Sequence, residues 1–386
     1  MRYGAPLLLA AATLAACADT PAPAAPDALA VTPSAARAGK GERGDRAAVV
    51  GGVFTLTNDS TGNAVVGYER RADGSLAYLG TYPTGGRGTG GGLGSQGAVV
   101  LSPNERFLFA VSGGTNEVTS YAVRRGGPTR VGTVASGGTR PVSAAAKDRV
   151  VYVLNAGSST LAGFRVANGG RLVAVPAWTR PLSPGTSGGA QVQFSRDGRF
   201  LAVVARASNS FDVFLVNADG SLGAPVSSPS AGPAPFGFDF TPRGQLVVSD
   251  PGPRSASSYQ VGIDGRLAAV TPLVGAFQGA PCWVVITGDG RFAYTANAAS
   301  GSVSGFALGV DGSLSLITPG GLTGDVGQGS TPLDMDVSRD SRFLYVLEGA
   351  TGNIAAFAIG VDGGLQAMAD TPPPTALRGR AGLAAY

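Results

Sequence analysis

The chain has 386 residues, with 61 Gly, 26 Pro and no His, and a formal charge of +4 from 29 Lys and Arg against 25 Asp and Glu. Charged residues are only 14% of the total, which excludes a helix-rich protein with solvated charged faces and suits many short strands joined by tight turns. Both signs are interspersed, with no dense basic run interleaved with aromatics, so nucleic acid is excluded as an expected partner.

The N-terminus reads as an export signal. Arg2 precedes an apolar run, Leu7 to Ala16, of about ten residues, too short to span a bilayer and long enough for the core of a secretory signal. The run closes on Leu14-Ala15-Ala16-Cys17, which resembles a bacterial lipobox: small residues admit the processing peptidase and the Cys17 thiol takes the lipid. Residues 1–17 are therefore expected to be a lipoprotein signal peptide. The mature protein is then exported, on the periplasmic side or the cell surface, and touches the membrane only through its lipid anchor. Residues 18–46, rich in Ala and Pro and poor in bulky apolar side chains, read as a tether, which leaves 47–386 as the folded domain. With Cys17 lipidated, Cys282 in the apolar run Pro281-Cys282-Trp283-Val284-Val285-Ile286 is expected to be a buried, inert thiol without a disulfide.

From about Ala47 the sequence repeats. An apolar strand, a turn, then Arg and a second apolar strand recur at Val99-Val100-Leu101-Ser102-Pro103-Asn104-Glu105-Arg106-Phe107, Gln193-Phe194-Ser195-Arg196-Asp197-Gly198-Arg199-Phe200, Ile286-Thr287-Gly288-Asp289-Gly290-Arg291-Phe292 and Val337-Ser338-Arg339-Asp340-Ser341-Arg342-Phe343. Weaker copies run through Ala145–Val150 and Phe240–Leu246, and the spacing is roughly 43 to 51 residues, in the range of four-stranded propeller blades. A second turn in each repeat, such as Asp73-Gly74, Asp219-Gly220 or Asp362-Gly363, favours the positive φ angles of a tight hairpin. Two hairpins and a middle loop make four strands. The first copy, from Ala48, lacks its innermost strand, and Ala381–Tyr386 supplies a match for it. The expected fold is all-β: a seven-bladed β-propeller with four-stranded blades, the first closed by the C-terminal strand.

The repeat "SxDGRFLYV…VxxFxVxxDGxL" resembles the lactonase-type propellers, which include bacterial 6-phosphogluconolactonases and fungal 3-carboxymuconate-lactonizing enzymes. The resemblance covers essentially all of residues 48–386. It implies the fold and superfamily, and a lactone as the class of substrate. No site residue carries over, because the family's inner strands commonly start with a His and this chain has none.

The missing imidazole removes the usual general base and the commonest metal ligand. Gly185-Thr186-Ser187-Gly188-Gly189 has the spacing of a nucleophile elbow but neither a strand-to-helix context nor a His to activate Ser187. Gly86-Arg87-Gly88-Thr89-Gly90-Gly91 lies in a loop with no helix to follow, so no dinucleotide is expected. Asp334, Asp336 and Asp340 fail the calcium-loop pattern at Ser338, and no metal or cofactor is expected.

The residues that remain are placed by counting within the repeat. The loops after the second strands hold Ser112, Asn155, Arg206, Asp250, Asn297 and Glu348. One face of the inner strands holds Gln191, Gln193, Asp239, Trp283, Val285, Asp334 and Asp336, with apolar residues between them packing between blades. A ligand-binding mouth of Arg140, Asn155, Arg206, Asp250, Asn297 and Glu348 follows, with Glu348, Asp334 and Arg206 as the candidates for catalysis. The first reading is a monomeric propeller that binds a small carboxylate, a sugar-derived ligand or a protein partner, without catalysis. The alternative is a lactone hydrolase or cycloisomerase, with Glu348 or Asp334 as base and Arg206 or Arg140 on the substrate carboxylate.

Overall fold

The computed structural model describes residues 47–374 and 379–386. The signal peptide, Cys17 and the tether therefore lie outside the described residues. Seven antiparallel sheets are arranged as blades, six with their strands in chain order from the channel outward and the first with the C-terminal strand innermost. The innermost strands are Val99–Leu101, Pro141–Lys147, Gly189–Phe194, Phe238–Phe240, Pro281–Ile286, Pro332–Val337 and Ala381–Ala385. The third and sixth blades each gain a fifth, two-residue strand, Arg180–Pro181 and Gly324–Asp325. Helix is confined to two single 3-10 turns, Asn168–Gly170 and Pro176–Trp178, among the described residues.

The repeated Ser-x-Asp-x-Arg-Phe is turn chemistry. Ser195 Oγ donates to Asp197 Oδ1 at 2.6 Å, the Arg199 N–H donates to the same oxygen at 3.0 Å, and the Phe200 N–H donates to Ser195 Oγ at 3.0 Å. The same three bonds recur around Thr287, Asp289 and Phe292, and around Ser338, Asp340 and Phe343. Each hydroxyl and carboxylate thus satisfies backbone donors of the turn between first and second strands. This end of the propeller is called the turn end below, and the end holding the loops after the second strands the loop end.

The two halves of the repeat meet between blades. Tyr152 Oη donates to the Gly220 carbonyl at 2.9 Å, Tyr294 Oη to Gly363 at 2.9 Å and Tyr345 Oη to Gly74 at 2.8 Å. The glycine is required twice over at Gly74. Its φ is 85°, and a Cβ there would sit 2.3 Å from the Phe343 ring. The last of these bonds joins the seventh blade to the first. Tyr345→Phe is expected to cost about 1–3 kcal/mol, since it leaves the buried Gly74 carbonyl unpaired, and a urea melt at fixed pH measures it.

Closure is completed by the C-terminal strand. Ala381–Ala385 pairs antiparallel with Val49–Leu56, matching Val53 to Ala385 and Phe54 to Ala384, and forms the inner strand of the first blade. Arg70 Nε donates to the Tyr386 carbonyl at 2.7 Å and the rings of Phe54 and Tyr386 stack at 6.1 Å. Cys282 is fully buried on the sixth inner strand and is disulfide-bonded, which corrects the expectation of an inert unpaired thiol.

Candidate functional site

A period of two along an inner strand sends alternate side chains into the channel. In Pro332–Val337 these are Asp334 and Asp336; in Gly189–Phe194, Gln191 and Gln193; in Phe238–Phe240, Asp239. All five line a central cavity of about 530 Å³. Toward the turn end its wall continues through Ala146, Lys147, Ser195, Arg196, Ser338 and Arg339. Arg196 and Arg339 are exposed there, so the cavity opens at the turn end.

The three carboxylates have little cationic compensation. Asp239 is the best held: Gln193 Nε2 donates to it at 2.7 Å, the Phe240 and Ile286 N–H groups at 2.7 and 2.9 Å, and Arg196 Nη2 approaches to 4.0 Å. Burial still pushes its pKa above the usual carboxylate range, against the Arg196 charge. Asp336 accepts from the Ala385 and Val337 N–H groups at 2.8 Å each. Burial raises it to about 7, with Asp239 adding to the shift and Arg196 opposing it. Asp334 accepts from the Gly97 N–H at 3.0 Å and the Met335 N–H at 3.1 Å. Burial raises it to about 8, helped by the charge of Asp336. Asp336 alone of this pair is partly exposed to the cavity. Two neighbouring carboxyls with raised pKa values are equipped to give and take a proton near neutrality. Among the described residues no three His, Cys, Asp or Glu gather in a geometry that would hold a metal.

The sequence profile described as lactonase, seven-bladed β-propeller, matches residues 57–177 and 98–262, together more than half of the chain. This chain belongs to that lactonase family. No curated protein sequence matches it. Among solved structures it is similar to the periplasmic gluconolactonase of Pseudomonas aeruginosa, at 19% identity and a TM-score of 0.66 over 86% of this chain and 99% of that one. It is also similar to a Bacteroides uniformis protein provisionally assigned as a 6-phosphogluconolactonase, at 17% identity and a TM-score of 0.71 over 87% and 99%. At these identities the structural likeness carries the fold alone.

In this lactonase-family propeller the expected mouth residues occupy the loop end, and of the residues singled out for binding or catalysis Asp334 alone lines the cavity. Asn155, Asp250 and Asn297 are fully buried at the ends of second strands. They brace loop-end backbone and turns: Asn155 Nδ2 donates to the carbonyl of Ser136, in the loop that enters its blade, at 3.0 Å, and Asn297 Nδ2 donates to Ser302 and Ser304 Oγ of its own turn and third strand at 3.1 and 2.9 Å. Glu348 accepts from Thr351 Oγ1 at 2.5 Å, and burial raises its pKa. Arg206 lies 5.6 Å over the Phe236 ring, and burial together with the Arg140 charge lowers its pKa. Arg140 is exposed, with a φ of 52° and its N–H on Asn116 Oδ1. Arg206 and Arg140 thus lie near one another, and neither lines the cavity that Asp334 lines.

Asp250 carries a pH prediction. Ser257 Oγ donates to it at 2.7 Å and no cation among the described residues acts on it; burial raises its pKa to about 7. The unfolded value is about 3.9, so the charged form is the costly one in the fold. The stability this group allows is present below about pH 4 and is lost as pH rises to about 7, by up to about 4 kcal/mol. Asp250→Asn is therefore expected to melt higher than wild type at pH 8 and to gain little at pH 4.5, as thermal melts at the two pH values would show.

Sequence reasoning underplayed Arg196. It lies in the Ser195-Arg196-Asp197-Gly198 turn, where hairpin chemistry accounts for its neighbours, and nothing in the repeat says which end of the channel is open.

Proposed function

We propose that this chain hydrolyses a lactone in its central channel, with Asp336 as general base, Asp334 as general acid and Arg196 stabilising negative charge. The observation that carries the reading is a solvent-reached cavity with buried carboxylates, two of them poised near pH 7 to 8, at a net cost to folding. The family's name and the neighbouring gluconolactonase support a lactone as substrate. Ionised Asp336 takes a proton from water as its oxygen attacks the lactone carbonyl. The tetrahedral oxyanion is stabilised by the Arg196 guanidinium. Its collapse breaks the ring C–O bond, and the departing alkoxide takes the proton of Asp334, giving the hydroxy acid. Solvent then returns the proton from Asp336 to Asp334. Hydrolysis of gluconolactone and simple γ- and δ-lactones by the purified chain, followed by pH-stat, tests this. Binding of a lactone without turnover would return the protein to the class of ligand-binding propellers.

We further propose export and lipid anchoring through Cys17, supported by the lipobox pattern and by the periplasmic location in the name of the Pseudomonas aeruginosa neighbour. Cys17→Ser should move the protein out of the membrane fraction or block its processing. Cys17 is the chain's one cysteine besides Cys282, so a lipidated Cys17 requires Cys282 to be reduced or paired with another molecule in the mature protein. The mass of the mature N-terminal peptide decides between the two, and unchanged membrane retention in the variant defeats the anchor.

A further inference from the structure

The channel is lined by seven blades, yet one short segment touches five of them. Ser95, Gln96 and Gly97 precede the inner strand of the second blade, Val99–Leu101. Ser95 Oγ donates to the Val142 carbonyl of the third blade at 2.8 Å, and the Ala144 N–H donates to the Gly97 carbonyl at 2.9 Å. The Gln96 N–H donates to the Ala190 carbonyl of the fourth blade at 3.1 Å. In the sixth blade, Gln96 Nε2 donates to the Val284 carbonyl at 2.6 Å, Gln96 Oε1 accepts from the Val284 N–H at 3.0 Å, and Trp283 Nε1 donates to the Ser95 carbonyl at 2.9 Å. Gly97 donates to Asp334 of the seventh blade. In the fifth blade, a Cβ on Gly237 would lie 2.3 Å from Gln96 Oε1, so only glycine leaves room for the amide. A segment rooted on the second blade reaches the fourth and sixth only by crossing the axis.

We infer that Ser95–Gly97 seals the channel at the loop end, and that Gln96 is the positioning residue that makes the reacting cavity blind and keeps the Asp334–Asp336 pair out of bulk water. The inference rests on the channel reading above. The Gln96 amide suits the task because it is uncharged and spends both its groups on Val284, as a neighbouring strand would. Gln96 and Gly97 line the cavity at this end. Asp334, on the sealed side, is 2% exposed. Among the described residues the charges that act on the pair are Asp239 and Arg196, both through Asp336, with Lys147 and Arg339 also in the turn-end wall of the cavity; toward the seal Asp334 meets backbone N–H groups of Gly97, Met335 and Leu383. Sealing thus works through dehydration, the leading cause of the raised Asp334 pKa.

The test compares Gln96→Ala, which opens the seal, with Gln96→Met, which fills the same space without the hydrogen bonds. Asp334→Asn serves as the reference. In Gln96→Ala the descending limb of the lactone pH–rate profile should move down by about one pH unit as water reaches Asp334. Its kcat should fall about tenfold, with a change in KM of less than about threefold. Gln96→Met should melt lower than wild type but keep the wild-type limb. The same variants are melted from pH 6 to 9. A carboxyl raised in the fold costs stability as pH rises toward its folded pKa, so wild type should lose stability over this range and Gln96→Ala and Asp334→Asn should lose less. A Gln96→Ala protein that melts lower but keeps both the wild-type limb and the wild-type pH slope overturns the seal. If wild type turns over no lactone, the proposed function fails, and the pH slope alone decides the seal.

Discussion

Asp336→Asn should lower kcat/KM for a hydrolysed lactone by about 10²–10⁴-fold, the usual contribution of a positioned general base. The amide keeps the volume, but the Ala385 and Val337 N–H groups bond different carboxylate oxygens and the single amide oxygen can accept from only one of them; losing the other should cost about 1–3 kcal/mol, which the fold should survive. Removing a buried carboxyl raised to about 7 should also make the protein melt higher than wild type above neutral pH. Lost activity with gained stability is the signature of a group retained for chemistry. The wild-type profile adds a second check. The base must be ionised and the acid protonated, so the rate should rise through about pH 7 and fall above about pH 8, with apparent values belonging to the coupled pair. A variant with wild-type turnover at every pH would remove Asp336 from the mechanism.

Deleting Ala381–Tyr386 should prevent the ring from closing. The deletion removes the inner strand of the first blade, its ladder to Val53–Leu56, the Arg70 contact with the Tyr386 carbonyl and the stack on Phe54. It leaves an unpaired inner edge and empties the volume held by Leu383 and Ala384, both buried. The loss should rival the whole stability of an ordinary domain, about 5–15 kcal/mol, so the truncated chain is expected in the insoluble fraction at temperatures where wild type is soluble. It should also lack activity at any temperature, because the Ala385 N–H that holds Asp336 is gone. A soluble truncated chain with an unchanged melt would mean that closure rests elsewhere, on contacts such as Tyr345 to Gly74.

The fold was legible because its signals are local and repeated. A Ser/Thr hydroxyl two residues before Asp, with Arg and Phe following, is a self-contained turn whose bonds lie within six residues, as Ser195 to Phe200 show. The Asp-Gly hairpins are equally local, and together they set strand number, blade number and the missing inner strand of the first copy. Alternation along the inner strands also placed Asp239, Asp334 and Asp336 on the channel face, since a period of two needs no tertiary knowledge.

The working end of the channel was not local. Loop-end Asn155, Asp250 and Asn297 and turn-end Arg196 are both polar residues next to strand ends, and only packing separates a turn brace from a cavity wall. Gln96 decides the matter through bonds to Ala190 and Val284, the latter 188 residues away, and no neighbouring residue in the chain foretells them. The sequence by itself determined the blades, their count, their closure and the absence of imidazole chemistry, because turn bonds and strand periodicity are properties of short segments. The tertiary structure alone decided which mouth is open and which carboxyls are dry, because desolvation depends on everything brought around a group by the closed ring.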